Sequence, residues 1–230
     1  DFSRLENGKV IFRQALAIDS NRHFGSRLVF DREGHLFVTT GDRGSHPQEA
    51  QNGASHIGKI LRITRDGAPA PGNPQRADWA PEVWSIGHRN VQGAALHPTT
   101  GQLWTVEHGA RGGDEINTPM AGRNYGWPVI TYGRDYSGIK IGEGTAKDGM
   151  EQPLHYWDPS IAPSGMVFYT GEIYPEWKGN VFVGALAGEH LQRVVLDGTT
   201  ITSSEKLYEG FGRIRDVVQG PTGHLYVMTD

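Results

Sequence analysis

The sequence contains no cysteine among its 230 residues. Disulfide bonds and thiolate catalysis are therefore excluded, although the absence is compatible with both periplasm and cytosol. No run of apolar residues approaches the roughly 20 that a membrane-spanning helix needs. The first ten residues, DFSRLENGKV, also lack the apolar segment of a signal peptide. The sequence predicts no membrane span.

Net charge is also small, because 22 Lys and Arg are balanced by 26 Asp and Glu to give a formal charge of -4. A surface of this kind has no general attraction for nucleic acid or anionic lipid. We therefore expect no nucleic-acid partner, and we interpret each basic residue by its local context.

Helical periodicity is scarce as well. No apolar stripe at i, i+3, i+4 and i+7 is sustained, and the 32 glycines and 13 prolines interrupt nearly every window. Six Trp, eight Tyr and eight Phe accompany them, which is typical of short aromatic strands joined by tight turns. The composition predicts an all-β protein, with residues 1–230 in one domain.

One short phrase recurs four times and suggests the architecture. Each copy has a glycine followed by alternating apolar and aromatic residues: it begins at Gly34, Gly101, Gly179 and Gly223. Such a phrase predicts a strand entered from a hairpin turn. Recurrence at uneven intervals fits blades of about 40 to 50 residues with variable loops, and hence a β-propeller of about four to five blades. A β-sandwich is the alternative, because it also repeats strands and turns.

The first candidate for chemistry is His23, in the stretch NRHFGSRLVF. It lies just before a predicted strand, at a position where propellers bind ligands. Asp42, in TTGD, ends the same predicted strand pair and is placed to orient the imidazole as a general base. The alternative is an ordinary histidine of a loop.

Two further candidates carry arginine. Arg89 and Asn90, in WSIGHRNVQG, follow one predicted strand and offer a charged fork beside a neutral donor, which suits carboxylate or carbonyl oxygens. An ion pair between blades would explain them equally well. Arg213 and Arg215, in RIRDV, point to the same face of a strand, so we expect an anion between them. Acidic partners on neighbouring strands are the alternative.

The stretch EHGARGGDEIN, residues 107–117, can turn several backbone carbonyls and carboxylates toward one point, as Ca²⁺ requires. A surface turn is the simpler interpretation. Downstream, the Tyr125–Pro128 turn and Asp135 supply oxygens that can join Glu115 around a second ion.

Taken in order, HFGSR, TTGD, GKILRI, GHRNVQG, HGARGGDEIN, GRNYGWP and RIRD resemble the soluble aldose sugar dehydrogenases that use pyrroloquinoline quinone (PQQ), in the glucose/sorbosone dehydrogenase family. The resemblance runs from about residue 20 to the last residue. It implies a six-bladed propeller, of which this chain would hold about four to five blades of an incomplete ring. We expect the source protein to be longer, with an N-terminal blade region and a ring-closing strand outside this chain.

The resemblance also implies roles. His23 would be the base that accepts the proton of the sugar C1 hydroxyl, Asp42 would orient it, and Arg89 would stabilise developing negative charge while hydride passes to PQQ. The residues implied to contact PQQ are Arg89, Asn90, Asp114, Trp157, Arg213 and Arg215. Trp157 would form an aromatic wall over the cofactor and substrate, and an ordinary core tryptophan is the alternative. The carbonyls of Gly109 and Ala110 would bind the catalytic Ca²⁺, and Glu115, Tyr125 and Asp135 a structural one.

The chain departs from the family pattern at three positions. Relatives commonly carry a lysine near Ala187 that reaches the cofactor, whereas this chain reads GALAGEH there. The resemblance therefore implies weaker cofactor binding, unless Arg193 or a residue outside the chain compensates. Ala110 and Val91 each replace a more usual proline.

The resemblance further implies an aldose substrate, a lactone product, an external electron acceptor of cytochrome or quinone type, a periplasmic or secreted location, and a monomer or homodimer. Two alternatives stay open: a Ca²⁺-dependent propeller hydrolase of the lactonase type, and a propeller that binds a sugar or other ligand without catalysis.

Overall fold

Four antiparallel sheets follow one another along the chain in the computed structural model, which describes residue 4 and residues 6–230. The first sheet contains β1 (Gly25–Phe30), β2 (Leu36–Thr40), β3 (Lys59–Ile63) and β4 (Val83–Ile86). The second contains β5 (Val91–Leu96), β6 (Leu103–Glu107), β7 (Asp114–Asn117) and β8 (His155–Trp157). The third contains β9 (Pro163–Phe168), β10 (Val181–Ala185), β11 (His190–Asp197) and β12 (Thr200–Leu207). The fourth has two strands, β13 (Ile214–Gln219) and β14 (Leu225–Thr229).

The strands of each sheet pair in sequence order, as in the blades of a propeller. Strands β1, β5, β9 and β13 come first in their sheets and contact one another in series, which makes them the innermost strands around a common axis. The prediction of an all-β propeller with an incomplete ring is confirmed. In the described part of the chain the ring consists of three four-stranded blades and one two-stranded sheet.

The recurring glycine phrase has one structural meaning in all four blades. Its apolar residues form the second strand of each sheet, β2, β6, β10 and β14. The four glycines that precede these strands have φ of 85°, 73°, 85° and 88°, a left-handed conformation that residues with a Cβ rarely adopt. The phrase is therefore the hairpin turn between the innermost strand and its neighbour.

Apolar side chains fill the spaces between adjacent blades. Between the first and second blades the buried residues are Phe37, Ile60, Val91 and Leu103. Between the second and third they include Trp104, Val106, Met166 and Val183, and between the third and fourth Tyr169, Phe182, Ile214 and Val217. Burying a large apolar side chain contributes roughly 1.5–3 kcal/mol, so face-to-face blade packing is the main stabilising term.

Helix is nearly absent from the described residues. Two short 3₁₀ turns occur, at Pro47–Gln51 and Pro175–Trp177. Within the described part of the chain, neither the length nor the composition of any helix would allow it to traverse a bilayer. Pro47, at the start of the first of these turns, lines a hollow together with His23 and Asp42.

Candidate functional site

A hollow of about 490 Å³ opens at the end of the first two blades where the innermost strands begin. Its walls come from the loop before β1, the loop after β2, the turn between β4 and β5, and the long connection between β7 and β8. The lining residues include Arg22, His23, Asp42, Arg89, Ala110, Trp127, Asp135 and Tyr136. Residues separated by more than a hundred positions thus share one cavity.

His23 and Asp42 form a direct pair within this hollow. The imidazole Nδ1 lies 2.5 Å from Asp42 Oδ1, and Asp42 is almost completely buried. Burial alone would raise the pKa of Asp42, but hydrogen bonds from His23 and from the Gly44 amide, with the nearby charge of Arg89, hold the pKa below its usual value. An ionised Asp42 requires a proton on Nδ1, so Nε2 is the nitrogen left to accept a proton from a ligand.

The backbone around this pair is tightly constrained. His23 has φ of 53°, a conformation uncommon for residues other than glycine. A Cβ at Gly41 would lie 2.0 Å from the His23 carbonyl oxygen, so only glycine allows the loop after β2 to approach so closely. The glycine of TTGD therefore brings Asp42 within reach of His23.

Arg89 reaches the same hollow from the turn between β4 and β5. Its Nη1 donates to the carbonyls of His108, at 3.2 Å, and Gly109. Its Nε is buried without a hydrogen-bond partner among the described residues, and an oxygen atom of a ligand would satisfy this donor. Neighbouring Asn90 accepts hydrogen bonds from the Gly25 amide and the Gln92 side chain through Oδ1.

A buried carboxylate fixes the position of Arg89. Glu107 Oε2 accepts a hydrogen bond from the Arg89 amide at 2.7 Å, while Oε1 lies 3.1 Å from His88 Nδ1 and accepts from Asn117. Glu107 belongs to β6, so the turn that carries Arg89 is attached to the second blade. Sequence reasoning did not identify Glu107, although it is part of the quoted stretch.

Glu115 stands directly opposite Glu107 in the β6–β7 ladder. Burial raises the pKa of Glu115 to about 8, and the negative charge of Glu107 adds to the effect. A small cavity of about 10 Å³, comparable to one water-sized sphere, is lined by both carboxylates together with Tyr125 and Gly109. The oxygens of buried Glu107 and half-buried Glu115 are of the kind that Ca²⁺ binds, although the guanidinium of Arg89 lines the same space.

Asp135 does not line this small cavity. It lies on the surface at the edge of the 490 Å³ hollow, where its Oδ1 accepts hydrogen bonds from the amide and hydroxyl of Ser137. Those bonds lower its pKa. The structure therefore brings Glu115 and Tyr125 together and places Asp135 elsewhere.

Asp114 has both carboxylate oxygens occupied by the protein. Oδ1 accepts from the Gly109 amide at 2.8 Å. Oδ2 accepts from Ser160 Oγ and from the amides of Ile161 and Ala162, at 2.6, 2.7 and 2.8 Å. Asp114 thus holds the glycine-rich loop to the segment that precedes β9.

Trp157 lies in β8 and packs in the apolar cluster between the second and third blades. Its indole Nε1 is buried without a partner among the described residues. Trp157 therefore occupies the position expected of an ordinary core tryptophan.

Arg213 and Arg215 lie at the start of β13 and share one carboxylate. Asp230 accepts from Arg213 Nε at 3.4 Å and from Arg215 Nε and Nη2 at 2.9 Å each. The hydrogen bond from Arg215 lowers the pKa of Asp230. The two guanidiniums do converge on an anion, and in this structure that anion is the side chain of the residue that follows β14.

The positions where the chain departs from the family pattern can also be located. Ala187 is exposed just after β10, and its amide donates to the Ile161 carbonyl. Arg193 donates to Glu205 and to the Glu176 carbonyl. Its Nη1 and Nη2 are therefore engaged, while its Nε is buried without a hydrogen-bond partner among the described residues.

A larger hollow, of about 640 Å³, lies at the opposite end of the first blade. Asp31, Glu33 and His35 cluster there around Arg62, which donates to both carboxylates and lies 2.9 Å from His35 Nδ1. The guanidinium of Arg62 already occupies the space between these carboxylates. The hollow of about 490 Å³ is therefore the better candidate site, because it holds the His23–Asp42 pair and Arg89, which has an unused donor.

Comparison with known proteins places this geometry in a family. The sequence model described as Glucose / Sorbosone dehydrogenase matches residues 1–230. The chain belongs to the glucose/sorbosone dehydrogenase family. It is 43% identical over 235 residues to Aldose sugar dehydrogenase YliI of Escherichia coli K12, covering 100% of this chain and 63% of that protein.

Solved structures support the assignment to the glucose/sorbosone dehydrogenase family. A crystal structure of a glucose dehydrogenase matches with a TM-score of 0.96 at 49% identity, covering 99% of this chain and 67% of that one. The PQQ-bound aldose sugar dehydrogenase of Streptomyces coelicolor matches with a TM-score of 0.73 at 34% identity, covering 90% of this chain and 56% of that one. The chain spans about three fifths of the length of the curated relatives it matches.

The hollow of this glucose/sorbosone dehydrogenase family member also contains residues that the sequence alone did not indicate. Arg22 and Tyr136 line the hollow, and Trp127 donates from its indole Nε1 to Asp42 Oδ2 at 2.8 Å. Arg22 could have been suspected, because it immediately precedes His23. The contact between Trp127 and Asp42 joins residues 85 positions apart, and no local pattern in the sequence indicates it.

Proposed function

We propose that the protein containing this chain is a PQQ-dependent aldose dehydrogenase, which oxidises the C1 hydroxyl of an aldose to a lactone with the assistance of Ca²⁺. The observation that carries the proposal is the His23–Asp42 pair sharing a hollow with Arg89, whose Nε has no partner among the described residues. The family membership supports an oxidoreductase that acts on sugars.

The residues present fit an anionic planar cofactor. An unpartnered buried guanidinium nitrogen at Arg89 suits a carbonyl or carboxylate oxygen. The carboxylate of Asp230 pairs with both Arg213 and Arg215, and this supports the proposal that the two arginines bind a carboxylate of the cofactor. We assign Arg89, Asn90, Arg213 and Arg215 as the residues that would hold PQQ. Asp114 and Trp157 would support the surrounding loop and core.

The donor set also fits Ca²⁺. Ca²⁺ binds backbone carbonyl and carboxylate oxygens. The small cavity between Glu107 and Glu115 provides such oxygens and would hold a structural ion together with Tyr125. The carbonyls of Gly109 and Ala110 would contribute to a catalytic ion, with Gly109 released from its bond to Arg89. Asp135 would join neither without movement of its loop.

The protein's own residues account for proton transfer. A sugar in the hollow would present its C1 hydroxyl to His23 Nε2, which accepts the proton as Asp42 stabilises the resulting imidazolium. Arg89 would stabilise negative charge that develops beside it. PQQ, held by the arginines and Asn90, would supply the hydride acceptor for C1, and Ca²⁺ would supply a Lewis acid.

Reconstitution tests this proposal. The full-length protein, supplied with PQQ and Ca²⁺, should reduce an artificial electron acceptor when aldoses are added. Loss of a general base reduces rates by about 10²–10⁴-fold, so His23→Asn should lose activity on that scale while still binding PQQ. His46→Asn is a matched control, because His46 is a histidine of a loop outside the hollow. Equal turnover by His23→Asn and the parent would contradict the proposal.

Two control reactions address the alternatives. Hydrolysis of lactones without added quinone would favour a lactonase. Binding of a sugar without turnover, and without heat in a calorimetric titration with micromolar PQQ, would favour a binding protein. From the family we also propose a periplasmic or secreted location, an external electron acceptor of cytochrome or quinone type, and a monomer or homodimer. The particular aldose is to be identified by the turnover assay.

A further inference from the structure

The carboxylate of Asp42 depends on a donor from another blade. Its Oδ1 lies 2.5 Å from His23 Nδ1 and accepts a 2.8 Å hydrogen bond from the Gly44 amide, both within the first blade. Its Oδ2 accepts from Trp127 Nε1 at 2.8 Å, the sole donor to that oxygen among the described residues. Since Asp42 is 1% exposed, water cannot readily replace that donor. The orientation of the carboxylate is therefore set from both sides.

Trp127 is itself firmly held. It belongs to the connection between β7 and β8 of the second blade, yet its amide donates to the Gly87 carbonyl at 3.0 Å in the first. Its own carbonyl accepts from Gln51 Nε2 at 2.7 Å. Gln51 and Asn124 exchange two further hydrogen bonds, of 3.0 and 2.7 Å. The indole is thus presented to Asp42 by a turn whose backbone is attached to the blade that carries His23.

The same indole contacts the cation of the site. The guanidinium carbon of Arg89 lies 5.2 Å from the centroid of the Trp127 ring, within the range of a cation–π interaction. One side chain therefore contacts both the carboxylate that orients His23 and the arginine with the unpartnered donor. In the described part of the chain no other aromatic side chain has both contacts.

We propose that Trp127 is a positioning residue of the dehydrogenase site: its indole N–H fixes the Asp42 carboxylate that orients His23, and its ring seats Arg89 relative to that pair. This inference rests on the proposed function for its kinetic consequence, but the hydrogen bond to Asp42 can be tested independently. A tryptophan that only fills space would act through ring volume, whereas a positioning residue acts through one N–H.

The variant Trp127→Phe separates these two roles, because it keeps an aromatic ring under Arg89 and removes the indole N–H. Trp84→Phe is the matched control, since Trp84 also uses its indole N–H in one hydrogen bond, to the Pro119 carbonyl at 3.0 Å, outside the hollow. Trp127→Leu removes both the donor and the ring. If Trp127→Leu fails to fold, Trp127→Phe still decides the question.

The first measurement is the titration of Asp42 in the full-length protein, followed by carboxyl ¹³C NMR with Asp42→Asn to assign the signal. Other charged groups facing the pair are Arg22, Arg89 and Asp135, and all are unchanged in both variants. Because Trp127→Phe removes one donor to the carboxylate, it should raise the titration midpoint of Asp42 by about one pH unit. Trp84→Phe should leave it unchanged.

The second measurement is turnover with PQQ, Ca²⁺ and an aldose. We expect kcat of Trp127→Phe to fall about tenfold with KM within about twofold, because positioning of the base acts on the transition state more than on substrate binding. An unchanged Asp42 midpoint, or a shifted midpoint with unchanged kcat, would overturn the proposal. If the parent protein itself shows no turnover, the proposed function fails, while the Asp42 midpoint still reports on the role of Trp127.

Discussion

Lys59 is buried near the candidate site, and its burial predicts how the free energy of unfolding depends on pH. Its side chain is fully buried in β3, and its ammonium donates to three backbone carbonyls: Glu49 at 2.6 Å, Ala50 at 3.1 Å and Ile57 at 2.5 Å. Two of these belong to the Pro47–Gln51 turn that packs beside the hollow. Burial lowers the pKa of Lys59 from 10.5 to about 7.

The direction of the effect follows from proton linkage. A lysine whose pKa is lower in the folded state binds fewer protons there than in the unfolded chain between about pH 7 and 10.5, so stability rises with pH across that window. The gain is close to 1.36 kcal/mol per pH unit at most, or about 2 kcal/mol between about pH 7 and 9. Below about pH 7 both states are protonated, and the dependence disappears.

Substitution Lys59→Met removes this titration while retaining an unbranched side chain of similar length. The free energy of unfolding of parent and variant should be measured by urea denaturation of the full-length protein at about pH 7 and 9. We expect the parent to gain about 2 kcal/mol relative to the variant across that range. Lys178→Met, at an exposed lysine paired with Glu172, is the control and should show no such change.

A difference between parent and Lys59→Met that does not vary with pH would refute this reasoning. It would mean that the three carbonyls keep the ammonium charged throughout, because a neutral amine has only two N–H donors for three acceptors.

Three further predictions concern the loops. Asp114→Ala removes a buried carboxylate that accepts from four donors. The free energy of unfolding, measured by urea denaturation, should therefore fall by about 3–5 kcal/mol. An unchanged denaturation midpoint would contradict this role. Arg89→Lys keeps the charge but loses the planar fork, so calorimetric titration should show PQQ affinity reduced about tenfold or more; equal affinity would exclude guanidinium recognition. Asp230→Ala frees Arg213 and Arg215, so PQQ should bind a few-fold more tightly, by about 2- to 5-fold, if Asp230 competes for them; weaker binding would show that Asp230 organises the pair instead.

The sequence predicted the architecture because the signal of the fold is local. A turn glycine followed by an alternating strand reports on one hairpin, and the second strand of every blade carries it. Strand order within blades then follows from short connections. The number of blades was harder to predict, because loops such as the one between Asn117 and His155 vary in length without changing the strand pattern.

The candidate site was predictable only where its chemistry lies in short stretches. His23 with Asp42, and Arg89 with Asn90, are near enough in sequence to be recognised beside turn signals. Glu107 and Glu115 oppose each other through strand register, which no single stretch displays. The bond between Trp127 and Asp42 depends on a loop of one blade lying over another, so it could not be inferred without coordinates.

Several candidate residues owe their placement to the propeller geometry. His23 lies before β1, Arg89 before β5 and Arg213 before β13, whereas Asp42 follows β2 and Trp127 lies in the β7–β8 connection. In a propeller the innermost strands surround one axis, and the starting ends of the first two bring His23 and Arg89 to one hollow; Arg213 and Arg215 are not among its lining residues.

Buried carboxylates then connect the blades at that end. Glu107 accepts from the Arg89 amide, and Asp114 accepts from the amides of Ile161 and Ala162. Asp216 of β13 pairs with Arg27 of β1 at 3.0 Å, so the first and fourth sheets also meet through a charged contact. Because these acids are engaged in holding strand ends together, the proposed proton transfer in the hollow rests on His23 Nε2 and the guanidinium of Arg89. A base and a cation that face one cavity suit removal of a proton from a hydroxyl group whose oxygen develops negative charge.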